Sequence, residues 1–360
     1  MDALILDTTL NAVGLIDVFD TFIWTERYSA YGDFEIYTQI TDKNLAILQE
    51  DYYVVINDSD RAMIIEDIQI ESDSEEGPTL VVAGRSLESI LERRIVWSQT
   101  VLSGNLQDAI EKILDENVIF PDDPDNERRI GNFVFKKNED ATITSLNLES
   151  KAQFTGDNVY DVVKVLCEVF QIGFKVTLSA DNEFVFKLYA GVDRSYEQSG
   201  NPYVIFSPNF ENLINSRYLR SKRNLKTVTL VAGEGEGSER VTVTVPSSDG
   251  AGKGLNRREL YTDARDVSKT VDDETLSEED YNKQLTQRGD EKLAECVEVN
   301  SFEGQSDPNV TFKLGEDYFV GDIVQIENEY GMESRSRISE VIRSDGGSGF
   351  EMYPTFTKVE

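Results

Sequence analysis

"PNVTFKLGEDYFVGDIVQIENEYGMESRSRISEVIRSDGGSGFEMYPTF", residues 308–356, sets runs of β-branched and aromatic residues between turn residues at "GED", "EYG" and "DGGSG". That texture is a strand meander. It recurs at the opposite end of the chain, in "NAVGLIDVFDTFIWTERY" (11–28), "GDFEIYTQI" (32–40), "DYYVVIND" (51–58), "RAMIIEDIQIE" (61–71) and "GPTLVVAG" (77–84). "NDSDRA" (57–62) reads as a hairpin turn joining two of these runs, and "RSLESILERRIV" (85–96) as a short helix capped by Ser86 with Leu87, Ile90 and Leu91 on one face.

Working inward, residues 99–200 change character. "SGNLQDAIEKILDENV" (103–118) has Ser103 as candidate N-cap and Leu106, Ala109, Ile110, Ile113 and Leu114 at helical spacing. "DNVYDVVKVLCEVFQIG" (157–173) turns Val159, Val162, Val163, Leu166 and Phe170 inward, with Gly173 as its stop. "FKVTLSA" and "EFVFKLYAG" then form a hairpin about "DNE". Strands return from 201 in "PYVIFS", "LINSRYLRS", "LKTVTLVAG" and "RVTVTVP", interrupted by a helix near "LSEEDYNKQLTQRGDEKLAECV", whose Ser277 and Asp280 have capping-box spacing. The expectation is an α+β, β-rich chain in three parts: 1–98, 99–200, and 201–360 with a helical insertion around 266–300.

With 360 residues, 39% of them apolar, the chain can bury several cores, at roughly 150 residues per domain. Its 68 acidic against 35 basic side chains give a formal charge of −33, which argues against wrapping nucleic acid, since that depends on neutralising phosphates. No window is apolar enough for a membrane segment, and the N-terminus has no basic leader, so synthesis and folding in a cytoplasm are expected. Cys167 and Cys296 both fall in helical patterns and are expected as buried free thiols. Histidine is absent, which removes Ser-His-Asp and Cys-His nucleophile systems and the histidine-based zinc sites, leaving carboxylate, Lys or Tyr chemistry.

Several motifs invite a functional reading. "VAGEGEGSERVTVTVP" (231–246) spaces Gly233, Gly235 and Gly237 like a phosphate loop, but a strand rather than a helix follows, and Glu234, Glu236 and Glu239 would repel an anion. It reads as a hairpin tip between matching faces, Val228, Leu230 and Ala232 against Val241, Val243 and Val245. "PDDPDNE" (Asp122, Asp123, Asp125, Asn126, Glu127) gathers oxygen ligands as a calcium loop would but lacks the EF-hand spacing; a solvated acidic turn is the default. Glu75 with Glu76 and Asp272 with Asp273 are carboxylate pairs of the kind glycosidases use, in a chain where such pairs arise without function. Phe22, Trp24, Tyr28, Tyr31, Phe34 and Tyr37 form either a sugar-stacking platform or a core. Arg257, Arg258 and Arg265, with Arg240 upstream, suit either subunit ion pairs or intrachain pairs with Asp263 and Asp266. No catalytic, cofactor-binding or metal residue is assigned, and Gly32, Gly84, Gly321 and Gly331 are expected at turns.

As a set, "FIWTERYSAYGDFEI" (22–36), "GRSLESILERRIV" (84–96), "NRRELYTDARD" (256–266), "LGEDYFVGDIVQIENEYGMESRSRISEVI" (314–342) and "PTF" (354–356) resemble the tail-tip hub proteins of long-tailed bacteriophages. That family is similar to the baseplate hubs of contractile tails and to the hub region of tail-associated lysins. The resemblance implies two β-barrel tube domains flanking the mixed middle, with the GEGEG hairpin in the second. It further implies a homotrimer in the virion that adapts a six-fold tube to a three-fold tip, passes DNA without binding it specifically, and requires no cofactor. Implied partners are the distal tail protein, the tape measure protein and tail fibre or receptor-binding proteins. The chain stops at Glu360 and is expected to be the hub alone. A tail-associated wall hydrolase and a carbohydrate-binding tail adhesin are the rival readings.

Overall fold

A computed structural model gives the architecture and describes all residues except 74–76, 124, 247–249, 272–273, 306–311, 329, 331–332, 348 and 360. The carboxylate pairs Glu75/Glu76 and Asp272/Asp273, and Glu329 and Gly331 of the "EYG" turn, therefore lie outside the described residues. The two β-rich ends are present, and thirteen of their strands form one sheet. Its seam is the antiparallel pairing of Thr21–Arg27 with Glu333–Gly346, which sets Trp24 opposite Arg343 and Arg27 opposite Glu340.

From the seam the sheet runs one way through Gly349–Lys358 and Val299–Gln305 to Ile214–Ser221. The other way it runs through Asp33–Gln39, Gly77–Ser86, Ala62–Asp73, Tyr53–Ile56 and Ala3–Leu6 to Ala12–Ile16. Ile323–Glu327 pairs with the seam strand and carries the short Ile205–Phe206. Among the described pairings this path is open at both ends rather than closed into rings.

Alternation along the strands distributes side chains to separate cores. The "AMII" run is apolar throughout because both of its faces are covered: Met63 and Ile65 join Phe22, Trp24, Phe34 and Val82, while Ala62 and Ile64 pack against the middle of the chain. The aromatic stretch is thus core and not a platform, with Phe22, Trp24, Phe34 and Tyr28 buried and Tyr31 and Tyr37 half-buried. A C-terminal core gathers Phe206, Tyr318, Val324, Ile338 and Phe356.

The middle holds the expected helices, Leu106–Leu114 and Val159–Val169, and a three-stranded sheet of Phe133–Phe135, Gly173–Leu178 and Phe184–Tyr189. Three local expectations are corrected. Asn105, not Ser103, caps the first helix, its Oδ1 accepting from the Gln107 amide at 3.0 Å. Ser86 precedes the turn Leu87–Arg93 without capping it, because its hydroxyl accepts from the Gly32 amide at 2.7 Å. Gln171, at φ 54°, takes the left-handed turn after the second helix, so Gly173 is free to open the next strand. Cys167 is buried as expected, while Cys296 lies past the end of its helix and is only half-buried.

The GEGEG hairpin is real but does not belong to the large sheet. Val228–Ala232 pairs with Thr242–Val245 and with Glu259–Asp263, and this small sheet packs on the helix Glu278–Ala294 around Val231, Val245, Ala264, Tyr281 and Leu285. Insertion in this part of the chain is therefore a sheet-plus-helix unit, not a helix alone. Register also differs from expectation: Val231 opposes Val243 and Thr229 opposes Val245, so Leu230 faces solvent. Ser277 caps the helix as its spacing predicts, accepting from the Asp280 amide at 3.1 Å.

Three parts of the chain meet at Tyr28. Its hydroxyl lies 3.3 Å from the carbonyls of Gln171 and Tyr189, its ring meets Tyr189 edge-on at 5.2 Å, and the Arg337 guanidinium sits 4.7 Å above it. Gly173 and Gly321 leave the ring its space, since a Cβ would lie 2.5 Å from it at the first and 2.4 Å at the second. Gly321 also sits in a turn, at φ 101°, as expected, and Gly32 ends the link between Thr21–Arg27 and Asp33–Gln39, where an added Cβ would strike the Thr25 carbonyl; Gly84 instead lies within a strand, where an added Cβ would strike the Ile64 carbonyl. Tyr28→Ala should cost about 3–5 kcal/mol of stability, by analogy with other buried aromatics, read as a fall in the denaturant midpoint. A midpoint unchanged from wild type would mean the junction does not hold the parts together.

Candidate assembly surfaces

The open ends of the sheet differ in charge. Ile214–Ser221 is an edge strand whose residues 217–220 are all exposed, including Tyr218 and Leu219. Residues 217–226, "RYLRSKRNLK", hold five cations and no carboxylate. Of these, Arg220 and Lys222 pair with Glu298, while Arg223 is exposed. Ala12–Ile16 is the opposite edge, with Val13 and Leu15 exposed, and the first 20 residues hold four aspartates and no Lys or Arg. Lys43 approaches that edge from a short helix, Asp42–Ile47, and donates to the Leu15 carbonyl at 3.1 Å. Edge strands present unpaired backbone groups, and charged side chains both discourage indiscriminate pairing and select a complementary neighbour.

The residues singled out in the sequence fall into scattered places. Asp263 binds Arg265 at 2.6 Å and Arg240 at 2.5 Å, and these two guanidiniums, Arg265 first, draw its carboxyl down to about 2. The intrachain pairing expected with Asp263 thus holds for Arg240 and Arg265, whereas Arg257 pairs with Glu259 at 2.6 Å and Arg258 donates to the Lys222 carbonyl at 2.7 Å. Asp266 is taken by Arg288 instead. Arg240 also reaches the carbonyls of Ala232 and Gly233, tying down the GEGEG loop, whose Glu234 turns inward to accept from the Lys269 amide at 3.2 Å. In the acidic turn, Asp123 accepts from the amides of Arg128 and Asp125, while Asp122, Asp125 and Glu127 are exposed.

Sequence reading missed the contact between the inserted unit and the middle. Arg288 is buried there, donating to the Gln153 carbonyl at 2.7 Å and to Asp266 at 2.9 Å, with its guanidinium 5.3 Å from the Phe154 ring centre. One turn on, Glu291 is 2% exposed and 3.5 Å from Arg288. Both line a cleft of about 530 Å³ with Asp157, Asp161 and Glu168. Burial pushes the Glu291 carboxyl up to about 7, against the pull of Arg288. The i, i+3 spacing of Arg288 and Glu291 was visible in the sequence, but nothing there distinguishes it from a solvated pair.

The family model described as Siphovirus ReqiPepy6 Gp37-like protein matches residues 2–356. Among solved structures the fold is similar to the 43 kDa tail protein of prophage MuSo2 from Shewanella oneidensis, at 11% identity and a TM-score of 0.56 over 99% of this chain and 98% of that one. It is similar to the tail protein from Neisseria meningitidis MC58, at 12% identity and a TM-score of 0.55 over 99% and 96%. Prophage tail protein gp18 from Listeria monocytogenes EGD-e follows at 14% identity and a TM-score of 0.50 over 99% and 94%. No curated protein matches the chain.

Glu291 makes stability depend on pH. Its folded pKa, about 7, lies above the ordinary 4.5, so the folded state holds a proton that the unfolded state releases across that window. This contribution is full below about 4.5 and is lost as pH rises through about 7. Glu291→Gln should flatten the fall in melting temperature between pH 5 and 7.5; an unchanged slope would place the carboxylate in a solvated setting.

Proposed function

The chain belongs to the Siphovirus ReqiPepy6 Gp37-like protein family, and from that membership we propose that it is a structural virion protein of the phage tail, acting as a trimeric hub at the tail tip or baseplate. In this reading three copies form a ring that continues the tail tube and adapts six-fold to three-fold symmetry. The β-rich parts, 1–98 and 201–360, are its tube-forming domains around the mixed 99–200 part. The hub contacts the distal tail and tape measure proteins, anchors fibre or receptor-binding proteins, and lets DNA pass. No catalytic step is proposed.

The observation that carries the reading is the pair of unlike edges on one continuous sheet. An edge rich in cations, Ile214–Ser221, and an edge flanked by aspartates, Ala12–Ile16, are complementary between copies placed head to tail. Such a heterologous contact closes into a ring when its rotation divides a full turn. Pairing the edges would bury the exposed Tyr218, Leu219, Val13 and Leu15 and satisfy their backbone groups. An acidic remainder then suits a conduit that DNA must slide through without adhering.

In solution the protein should sediment as a trimer, alone or on meeting a tail partner. Arg223→Glu or Asp17→Lys should each weaken self-association about ten-fold, and combining the two reversals should recover part of the loss. Persistent monomer with and without partner would refute the ring.

A further inference from the structure

In a chain of formal charge −33, one exposed surface gathers arginines whose guanidiniums pair with no carboxylate among the described residues. Arg128 and Arg129, consecutive in the loop after the first middle helix, stack on two different aromatic rings: Arg128 at 4.8 Å over Trp97 and Arg129 at 5.3 Å over Phe120. Trp97 and Phe120 are each 65% exposed as residues. Arg94 lies beneath, its Nε donating to the Arg128 carbonyl at 2.9 Å. Arg128 is fixed by hydrogen bonds to the Ile95 carbonyl at 3.2 Å and Asn117 Oδ1 at 3.4 Å, and the same Asn117 oxygen accepts from the Trp97 amide at 3.0 Å. Among the described residues no ion pair is recorded for Arg94, Arg128 or Arg129, whereas Arg93 beside them reaches Asp51 at 3.3 Å. Burial, with repulsion from Arg128 and Arg93, lowers the Arg94 pKa, which is the mark of cations held together without a counter-charge.

We infer that this surface, distinct from the sheet edges, is a docking site for an acidic protein segment that also carries apolar side chains. Exposed tryptophan and arginine are the residue types that concentrate binding energy at protein interfaces. A guanidinium stacked on a ring keeps its planar edge of donors free for a carboxylate, while the ring keeps apolar area that only an apolar side chain can cover. A polyphosphate or a nucleic acid would bring dense charge past the exposed Asp122, Asp125 and Glu127 that flank the arginines. A protein segment can place one or two carboxylates on the guanidiniums and its apolar groups on Trp97 and Phe120.

Trp97 and the buried Trp24 are the two tryptophans of the chain, so indole fluorescence reports directly on this surface. The full-length protein would be titrated with a synthetic peptide of repeated Glu-Phe-Asp-Leu, its Lys-Phe-Lys-Leu counterpart, and polyphosphate. The acidic peptide should change the emission saturably; Arg128→Ala with Arg129→Ala should weaken it at least about ten-fold, and Arg128→Lys should weaken it less. Near-ultraviolet circular dichroism would establish that the variants remain folded. Equal binding of the two peptides, binding of polyphosphate in place of the acidic peptide, an unchanged affinity in the double variant, or no saturable change would each overturn the assignment.

Discussion

The register between Thr21–Arg27 and Glu333–Gly346 is the constraint from which the rest of the structure follows. It joins strands from opposite ends of the chain into one sheet, and the charges along it are matched. Arg27 reaches Glu340 at 2.6 Å and also pairs with Asp33, while Arg343 reaches Glu26 at 3.1 Å beside the Trp24 indole, which donates to the same carboxylate. A slip by one residue would turn Phe22 and Trp24 out of the core and separate these pairs. Tyr28, next along the chain, then fixes where the middle may sit. Beyond it, Asp322 accepts from the Val192 amide and from Arg194, each at 2.7 Å, locking the segment that follows the middle's last strand, Phe184–Tyr189, against the C-terminal part.

Net charge shapes the molecule in a second way. With nearly twice as many acids as bases, most arginines are consumed inside the chain, either bridging parts of it, as Arg61 does with the fully buried Glu88, or pinning loops, as Arg240 does. Buried pairs of this kind add little net stability because desolvation offsets their attraction, yet removing one partner is costly. They therefore act as fixed joints. The few positive surfaces left over become the places where another acidic body can approach.

Much of the fold was legible. Strand texture, turn residues and helical spacing found most of the elements because each is a local property of the chain, and Val159, Val162, Val163 and Leu166 are buried as their spacing requires. What was not legible is long-range. Alternation around the GEGEG hairpin could not reveal which face would meet the Tyr281 and Leu285 side chains, so the register came out one residue off. Gly84 looked like a turn because the carbonyl that excludes a side chain there, that of Ile64, belongs to a neighbouring strand. The sheet edges could not be identified before the strand order was known, and the Arg128–Trp97 stack joins residues whose proximity no motif announces.

The seam also sets a timetable. Arg27 and its partner Glu340 are separated by 313 residues, so at ribosomal rates the strand Thr21–Arg27 waits about 15–60 s for its neighbour. During that interval Asp33–Gln39 covers one side of the strand and the other side stays unpaired. High contact order of this kind slows folding and leaves a nascent chain open to misassociation on a polysome. Productive assembly therefore depends on keeping that one strand unoccupied until the last segment of the sheet has been made.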